Sequence, residues 1–269
     1  SDVGGRRTPW ILGGMAVLAC GGVLAALATV WMAHHVVNPW IEALWMLGAI
    51  GLLLCTGVVL WRWLKPGLSI DDFWLGITPA LFIPVVGNVL PALAGVSLGH
   101  PVWAAAQYGL AAVLWPVMLV LVMVRIGMRG LWPERMLPVT FITIAPPAVI
   151  GLVLVQMQAP LPVVQALWGV GLFFLLWVAP VIKRIVAQPF SVPFWALSFP
   201  FAAFTTLTLR LAELQPDSAW HGVLQNAGVL LLASTTMIVL WLSFATVRGL
   251  REGSLLAPEP VANIIPVSA

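Results

Sequence analysis

Eight apolar stretches of twenty residues or more, at 9–33, 39–64, 73–98, 101–126, 137–158, 161–185, 192–211 and 221–247, follow one another with short polar connections between them. At 1.5 Å per residue, about 20 residues carry an α-helix across the hydrocarbon core of a bilayer, so each stretch is long enough to span. Composition agrees: 61% of the 269 residues are hydrophobic, 8% are charged and the mean hydropathy is +1.05, values outside the range of water-soluble domains. The expected fold is an all-α polytopic membrane protein of eight transmembrane helices, arranged as four antiparallel hairpins. Residues 1–252 form the single transmembrane domain, and 253–269 a cytoplasmic C-terminal tail expected to be disordered.

The basic residues test the count. If the stretches alternate in direction, Arg6, Arg7, Arg62, Lys65, Arg125, Arg129, Arg135, Lys183, Arg184, Arg248 and Arg251 fall on one side, and Arg210 alone falls on the other. Basic residues collect in cytoplasmic loops, so both termini are predicted to be cytoplasmic. One span more or fewer would scatter these charges. Several of the fifteen tryptophans (Trp10, Trp40, Trp61, Trp63, Trp132, Trp220) stand near the ends of stretches, as an interfacial belt requires. The chain starts at Ser1 without an initiator methionine, which points to processing, trimming or a fragment. Arg6 and Arg7 imitate the start of a signal peptide, but the apolar run behind them is too long for one.

Several classes of function are disfavoured. No HExxH, GxSxG or phosphate-cradling glycine loop is present, so no catalytic residues, enzyme activity or cofactor are expected. Cys20 and Cys55 lie inside apolar stretches and support neither a disulfide framework nor a metal site. His34, His35 and His100 sit in outer loops and read as water-exposed, a metal site being the less favoured alternative. No basic patch remains for nucleic acid once topology is accounted for. Glu42, Asp71 and Asp72 sit near span ends, and no span carries a deep carboxylate, which weakens a proton-coupled mechanism.

Alternate stretches differ in character. The odd ones collect glycine, proline and threonine at helical spacing: Ala19, Gly22, Ala26 and Thr29 in the first, Pro84, Asn88, Pro91 and Gly95 in the third, Thr140, Thr143, Pro147 and Gly151 in the fifth. In the seventh, Phe199, Ala203, Thr206 and Arg210 share a face. The even stretches are bulky and apolar. Two arrangements fit this pattern: inner helices lining a narrow path inside greasy outer ones, or close helix packing in which small residues let backbones approach. The first makes Ala19, Gly22, Ala26, Pro84, Asn88, Pro91, Thr143, Pro147, Ala203 and Thr206 pore-lining, and Phe199 a plug. It also makes Arg210 a charge at the pore mouth, unless Glu213 pairs with it. In the second, Pro200 only bends a bundle helix, and the threonines bond back to their own carbonyls.

Three segments, FIPVVGNVLPALAG (82–95), LPVTFITIAPPAVIGL (137–152) and SVPFWALSFPFAAFTT (191–206), resemble inner-helix segments of the tellurite-resistance and dicarboxylate transporter family. That family includes the plant guard-cell slow anion channels and the fungal malate and sulfite transporters. The resemblance runs in order from about Trp40 to Gly249. It implies a homotrimer with a pore in each protomer, kinked inner helices, and a gating phenylalanine that matches Phe199. The family pattern has five hairpins and this chain has four; the first is missing. The Ser1 start points to truncation, with a separate segment filling the gap or a lumen open on one side as alternatives. The expected function is a channel or uniporter for small inorganic or organic anions in the inner (plasma) membrane. A proton-coupled exporter of dicarboxylate, sulfite or tellurium oxyanions and a truncated non-conducting subunit are the other readings.

Overall fold

Proline sets where these helices begin and where they break. The structure, a computed structural model, describes residues 39–64, 67, 69–253 and 255. The first apolar stretch, with Ala19, Gly22 and Ala26, lies outside the described residues, as does nearly all of 253–269. The described chain forms α1 (Pro39–Trp63), α2 (Ile70–Gly76), α3 (Pro79–Gly95), α4 (Pro101–Arg129), α5 (Glu134–Gln156), α6 (Leu161–Val186), α7 (Val192–Glu213) and α8 (His221–Arg251). Pro79 and Pro101 stand at first-turn positions, where the missing N–H removes no helical bond.

Six of the described helices are each long and apolar enough to cross a membrane, and α2 and α3, bent by 70° to each other, are together long and apolar enough for a seventh broken span or a re-entrant loop. The stretch at 73–98, expected as one ordinary span, is therefore broken. Thr78 precedes Pro79, whose ring pushes the residue before it out of the helical region, and Thr78 is accordingly extended at φ −136, ψ 158. Further along α3, Pro84 and Pro91 each remove a helical donor. The chain tightens into a 3₁₀ turn at Gly87–Val89, and the Leu90 N–H takes the Gly87 carbonyl that Pro91 would otherwise leave free. The first parts of α5 (Glu134–Ile144) and α7 (Val192–Leu197) are 3₁₀ as well, whereas α1, α4 and α8 run unbroken for 25, 29 and 31 residues.

Inner and outer helices separate as the alternating composition predicts. Within the most apolar 18 residues of each span, 83% of α5 and 44% of α7 are buried, against 11% to 22% of α1, α4, α6 and α8. The outer helices present Leu44, Val120, Phe173, Leu230 and Phe244 to their surroundings, a surface suited to lipid. Glycines set the closest approaches: a Cβ on Gly95 would lie 2.8 Å from the Trp45 ring, one on Gly151 3.0 Å from Leu207, one on Gly171 2.9 Å from the Phe204 ring, and one on Gly228 2.8 Å from Leu209 Cγ. Three of these four contacts seat α7 against α5, α6 and α8. Small residues thus serve helix packing in α3 and α5, the second of the two arrangements the spacing allowed.

Charges sit at the two ends. At the end rich in basic residues, Arg129 pairs with Asp71, Arg184 with Glu134, and Arg248 with Glu252 at 2.7 Å. At the other end, Arg210 pairs with Glu213 and His100 with Glu42, both at 2.7 Å.

Candidate functional site

Helix α7 is packed on every side but one. Pro200, Ala203, Phe204, Thr205, Leu207, Thr208, Leu211 and Ala212 are buried, while Phe199, Thr206 and Arg210 are exposed and recur at helical spacing. Phe199 is 41% exposed, whereas the next two rings along the helix, Phe201 and Phe204, stack on Phe141 and Trp168. The face predicted for the seventh stretch thus exists as an exposed strip of ring, hydroxyl and cation, with Ala203 buried at its edge.

The hydroxyls on α7 are turned onto the helix's own backbone. Thr206 donates to the Ala202 carbonyl at 2.9 Å, Thr205 to Phe201 at 2.7 Å and Thr208 to Phe204 at 2.8 Å. Each bond occupies the single hydroxyl proton, so Thr206 shows its surroundings lone pairs and a methyl group, and must rotate before it can donate to an anion. The Arg210 guanidinium donates to Glu213 Oε2 across one turn, which cancels its net charge at a distance. The strip is therefore close to electrically neutral.

The other sequence-predicted residues occupy different surroundings. Asn88 is fully buried and bridges α1, α3 and α4: its Nδ2 donates to Thr56 Oγ1 at 2.7 Å and to the Val85 carbonyl at 3.1 Å, and its Oδ1 accepts from Gln107 Nε2 at 3.4 Å. Gln107 Nε2 also donates to the Ala49 carbonyl at 2.9 Å. Every amide proton of this node is taken, and the atom left without a partner, Gln107 Oε1, is an acceptor. Such a node does not attract an anion. Pro91 is buried, its carbonyl accepting from Trp45 Nε1 at 3.0 Å, and half-buried Pro84 offers its carbonyl to Thr56. Thr143 and Pro147 are buried in α5; Thr143 donates to the Thr140 carbonyl at 2.8 Å, and Pro147 lies beside Gly171 where α5, α6 and α7 meet.

Residues 10–247 match the SLAC1 family, described as voltage-dependent anion channel. The chain belongs to that family. The SLAC1 match begins at residue 10 and so takes in the first apolar stretch as well. The S-type anion channel SLAH1 of Arabidopsis thaliana is 22% identical over 186 residues, 68% of this chain and 47% of that relative. The S-type anion channel SLAH2 of the same plant is 22% identical over 181 residues, 67% of this chain and 34% of the relative. The chain thus spans about half the length of one relative and a third of the other. SLAC1 membership agrees with the resemblance carried by the three inner-helix segments, and with a multi-pass helical membrane protein.

Some structure in this SLAC1 chain was not visible in the one-dimensional pattern. Trp168, on outer helix α6, donates to Thr208 Oγ1 at 2.9 Å and ties α6 to α7. His100, read as water-exposed, is half-buried between Glu42 Oε1 and the Trp45 ring, whose centroid is 5.2 Å away at 15°. Glu42 binds it from 58 residues earlier, a distance over which spacing gives no signal.

Proposed function

We propose that this chain is an anion channel or uniporter whose path runs along the exposed face of α7, with Phe199 as its occluding side chain. The observation that carries the reading is the strip of Phe199, Thr206 and Arg210 on a helix otherwise enclosed by α5, α6 and α8. An exposed strip that combines a ring, a threonine and, at the helix end, an ion pair suits water, a permeant solute or protein better than lipid alone. The SLAC1 family and the two S-type anion channels support a small anion as the solute.

In this reading Ala203 and Thr206 form the wall, Thr143 and Pro147 stand behind it, and Asn88, Pro84 and Pro91 fix the bent helix α3. Ala19, Gly22 and Ala26 keep their proposed place on the first inner helix. Phe199 blocks by bulk and by excluding water from an apolar constriction. The near-neutral strip implies weak, fast binding. The end bearing Arg62, Arg129 and Arg184 is cytoplasmic, the membrane is the plasma membrane, and the assembly is a homotrimer with one path per protomer.

The test is flux of chloride, nitrate and malate into proteoliposomes holding the purified chain, wild type beside Phe199→Ala. The expected result is a severalfold rise in the variant without dependence on a proton gradient. Flux no greater than that of empty liposomes in both proteins would support a non-conducting subunit, and flux that follows the proton gradient would support a coupled exporter.

A further inference from the structure

All four histidines of the chain, His34, His35, His100 and His221, belong by topology to the end that bears Arg210. His100 stands just before α4 and His221 opens α8, while His34 and His35 precede Pro39, where α1 begins at the same end. The opposite end holds none. Its cations are arginine and lysine, which keep their charge near neutral pH, Arg125 among them with its Cζ 4.6 Å from the centre of the Trp132 ring.

The two described imidazoles are within reach of water. The His100 side chain is 32% exposed, with Nε2 at 2.7 Å from Glu42 Oε1 and its ring on Trp45. A carboxylate and an indole face accept a charged ring as readily as a neutral one. Half-buried His221 has Nδ1 3.0 Å from the Ala212 carbonyl, so Nδ1 carries the first proton and Nε2 is left to take the second. Among the described residues this Nε2 has no partner, and it is not one of the sealed polar atoms.

The charged groups on the elements around them at this end are Glu42 on α1, Arg210 and Glu213 on α7, and Asp217 in the connection to α8; α3, α4, α5, α6 and α8 add none there. Arg210 and Glu213 cancel on the strip itself. The rim around the strip is thus set by two carboxylates and four histidines, a net charge of −2 with the imidazoles neutral and +2 with all of them protonated. Histidine is the side chain whose ordinary change of charge falls between about pH 8 and 5.

We infer that this rim is a proton-operated charge switch governing anion entry: it repels anions in alkaline surroundings and attracts them in acidic ones. The inference rests on the α7 path proposed above and assigns its regulation. It needs neither helix movement nor proton transfer across the membrane. Each exposed charge acts weakly through water, but four changing together alter the local anion concentration about threefold at low salt.

The test places the full chain in proteoliposomes with equal pH on both sides, so that no proton gradient drives transport, and measures chloride uptake for wild type and Phe199→Ala. In about 10 mM salt, uptake at pH 5.5 is expected to exceed uptake at pH 8 about threefold, falling toward parity at 1 M salt. Replacing all four histidines by glutamine should remove this step. H221Q, which keeps a side-chain donor for the Ala212 carbonyl, and H34Q/H35Q should each remove part of it, which covers a fourfold variant that does not fold. Independently of transport, NMR of the histidine-labelled chain in nanodiscs counts the protons taken up between pH 8 and 5. Imidazoles that charge in a chain without uptake, in wild type and Phe199→Ala alike, overturn the α7 path rather than the charge reversal. Imidazoles that stay neutral at pH 5, or a pH step that survives every replacement or persists undiminished at 1 M salt, overturn the switch.

Discussion

Asn88 Nδ2 donates to the Thr56 hydroxyl oxygen at 2.7 Å, pinning bent helix α3 to outer helix α1 inside an otherwise apolar contact. Removing that amide takes a donor from the Thr56 oxygen and an acceptor from Gln107, which keep their bonds to the Pro84 and Ala49 carbonyls. Asn88→Ala is expected to lower stability by about 1 to 2 kcal/mol, the upper range for interhelical hydrogen bonds in membranes. Gln107→Leu takes the Nε2 donor from the Ala49 carbonyl and Asn88 Oδ1 but also removes a buried acceptor that already lacks a donor, so its cost should be no larger. Unfolding in mixed micelles, followed by tryptophan fluorescence, gives both numbers; a larger loss for Gln107→Leu contradicts the account.

Two glycines on α6, two residues apart, should respond in opposite directions. A methyl group on Gly171 meets the Phe204 ring at 2.9 Å, and that ring is stacked on Trp168 with no room to retreat. Gly171→Ala is expected to cost about 1 to 3 kcal/mol by overpacking. Gly169 has nothing within 4 Å of its Cβ position, and Gly169→Ala should be neutral or stabilising by up to about 1 kcal/mol through helix propensity. Equal melting temperatures for the two variants would show that the notch is not rigid.

Thr206 and Thr208 separate stability from permeation. Thr208 accepts the Trp168 indole proton, so Thr208→Val should lose about 1 kcal/mol. Thr206 bonds only its own helix and is exposed, so Thr206→Val should stay within about 0.5 kcal/mol of wild type. On the proposed path, Thr206→Val alters the ratio of nitrate to chloride flux while the protein remains folded. An unchanged ratio would take Thr206 off the wall.

The Arg210 and Glu213 pair predicts opposite effects of two neutralisations. Arg210→Gln leaves a net negative mouth and Glu213→Gln a net positive one. Anion uptake from that side should fall severalfold in the first and rise in the second, and both differences should shrink toward 1 M salt, where the Debye length is about 3 Å. Effects of the same sign, or insensitive to salt, would remove the pair from the path.

Hydropathy and the placement of basic residues made the membrane fold and the inner and outer roles of the helices legible, because burial against lipid or protein acts on whole helix faces. The face of α7 was legible for the same reason: a ring, a hydroxyl and a cation seldom share an outward strip. The break at Thr78 was carried in the sequence by Pro79 and Gly76, yet continuous hydropathy across it masked the signal. Asn88 was placed on the right helix, but spacing along one helix does not say which neighbour faces it. Small residues could not be read unambiguously, since Gly95 and Gly151 give a packing interface the same pattern that a lumen wall would have. The Arg125 contact with Trp132 depends on the left-handed turn at Gly130, which no periodicity encodes.

Phe204, Leu207 and Leu209 of α7 each sit in a glycine hollow on a different neighbour. Held at three points, the helix has no direction in which to swing or retract as a body without lifting a bulky group over a ridge. On the proposed path, clearing Phe199 would then belong to torsion about its own side-chain bonds, a motion of picoseconds to nanoseconds in an exposed residue, rather than the slower travel of a whole helix.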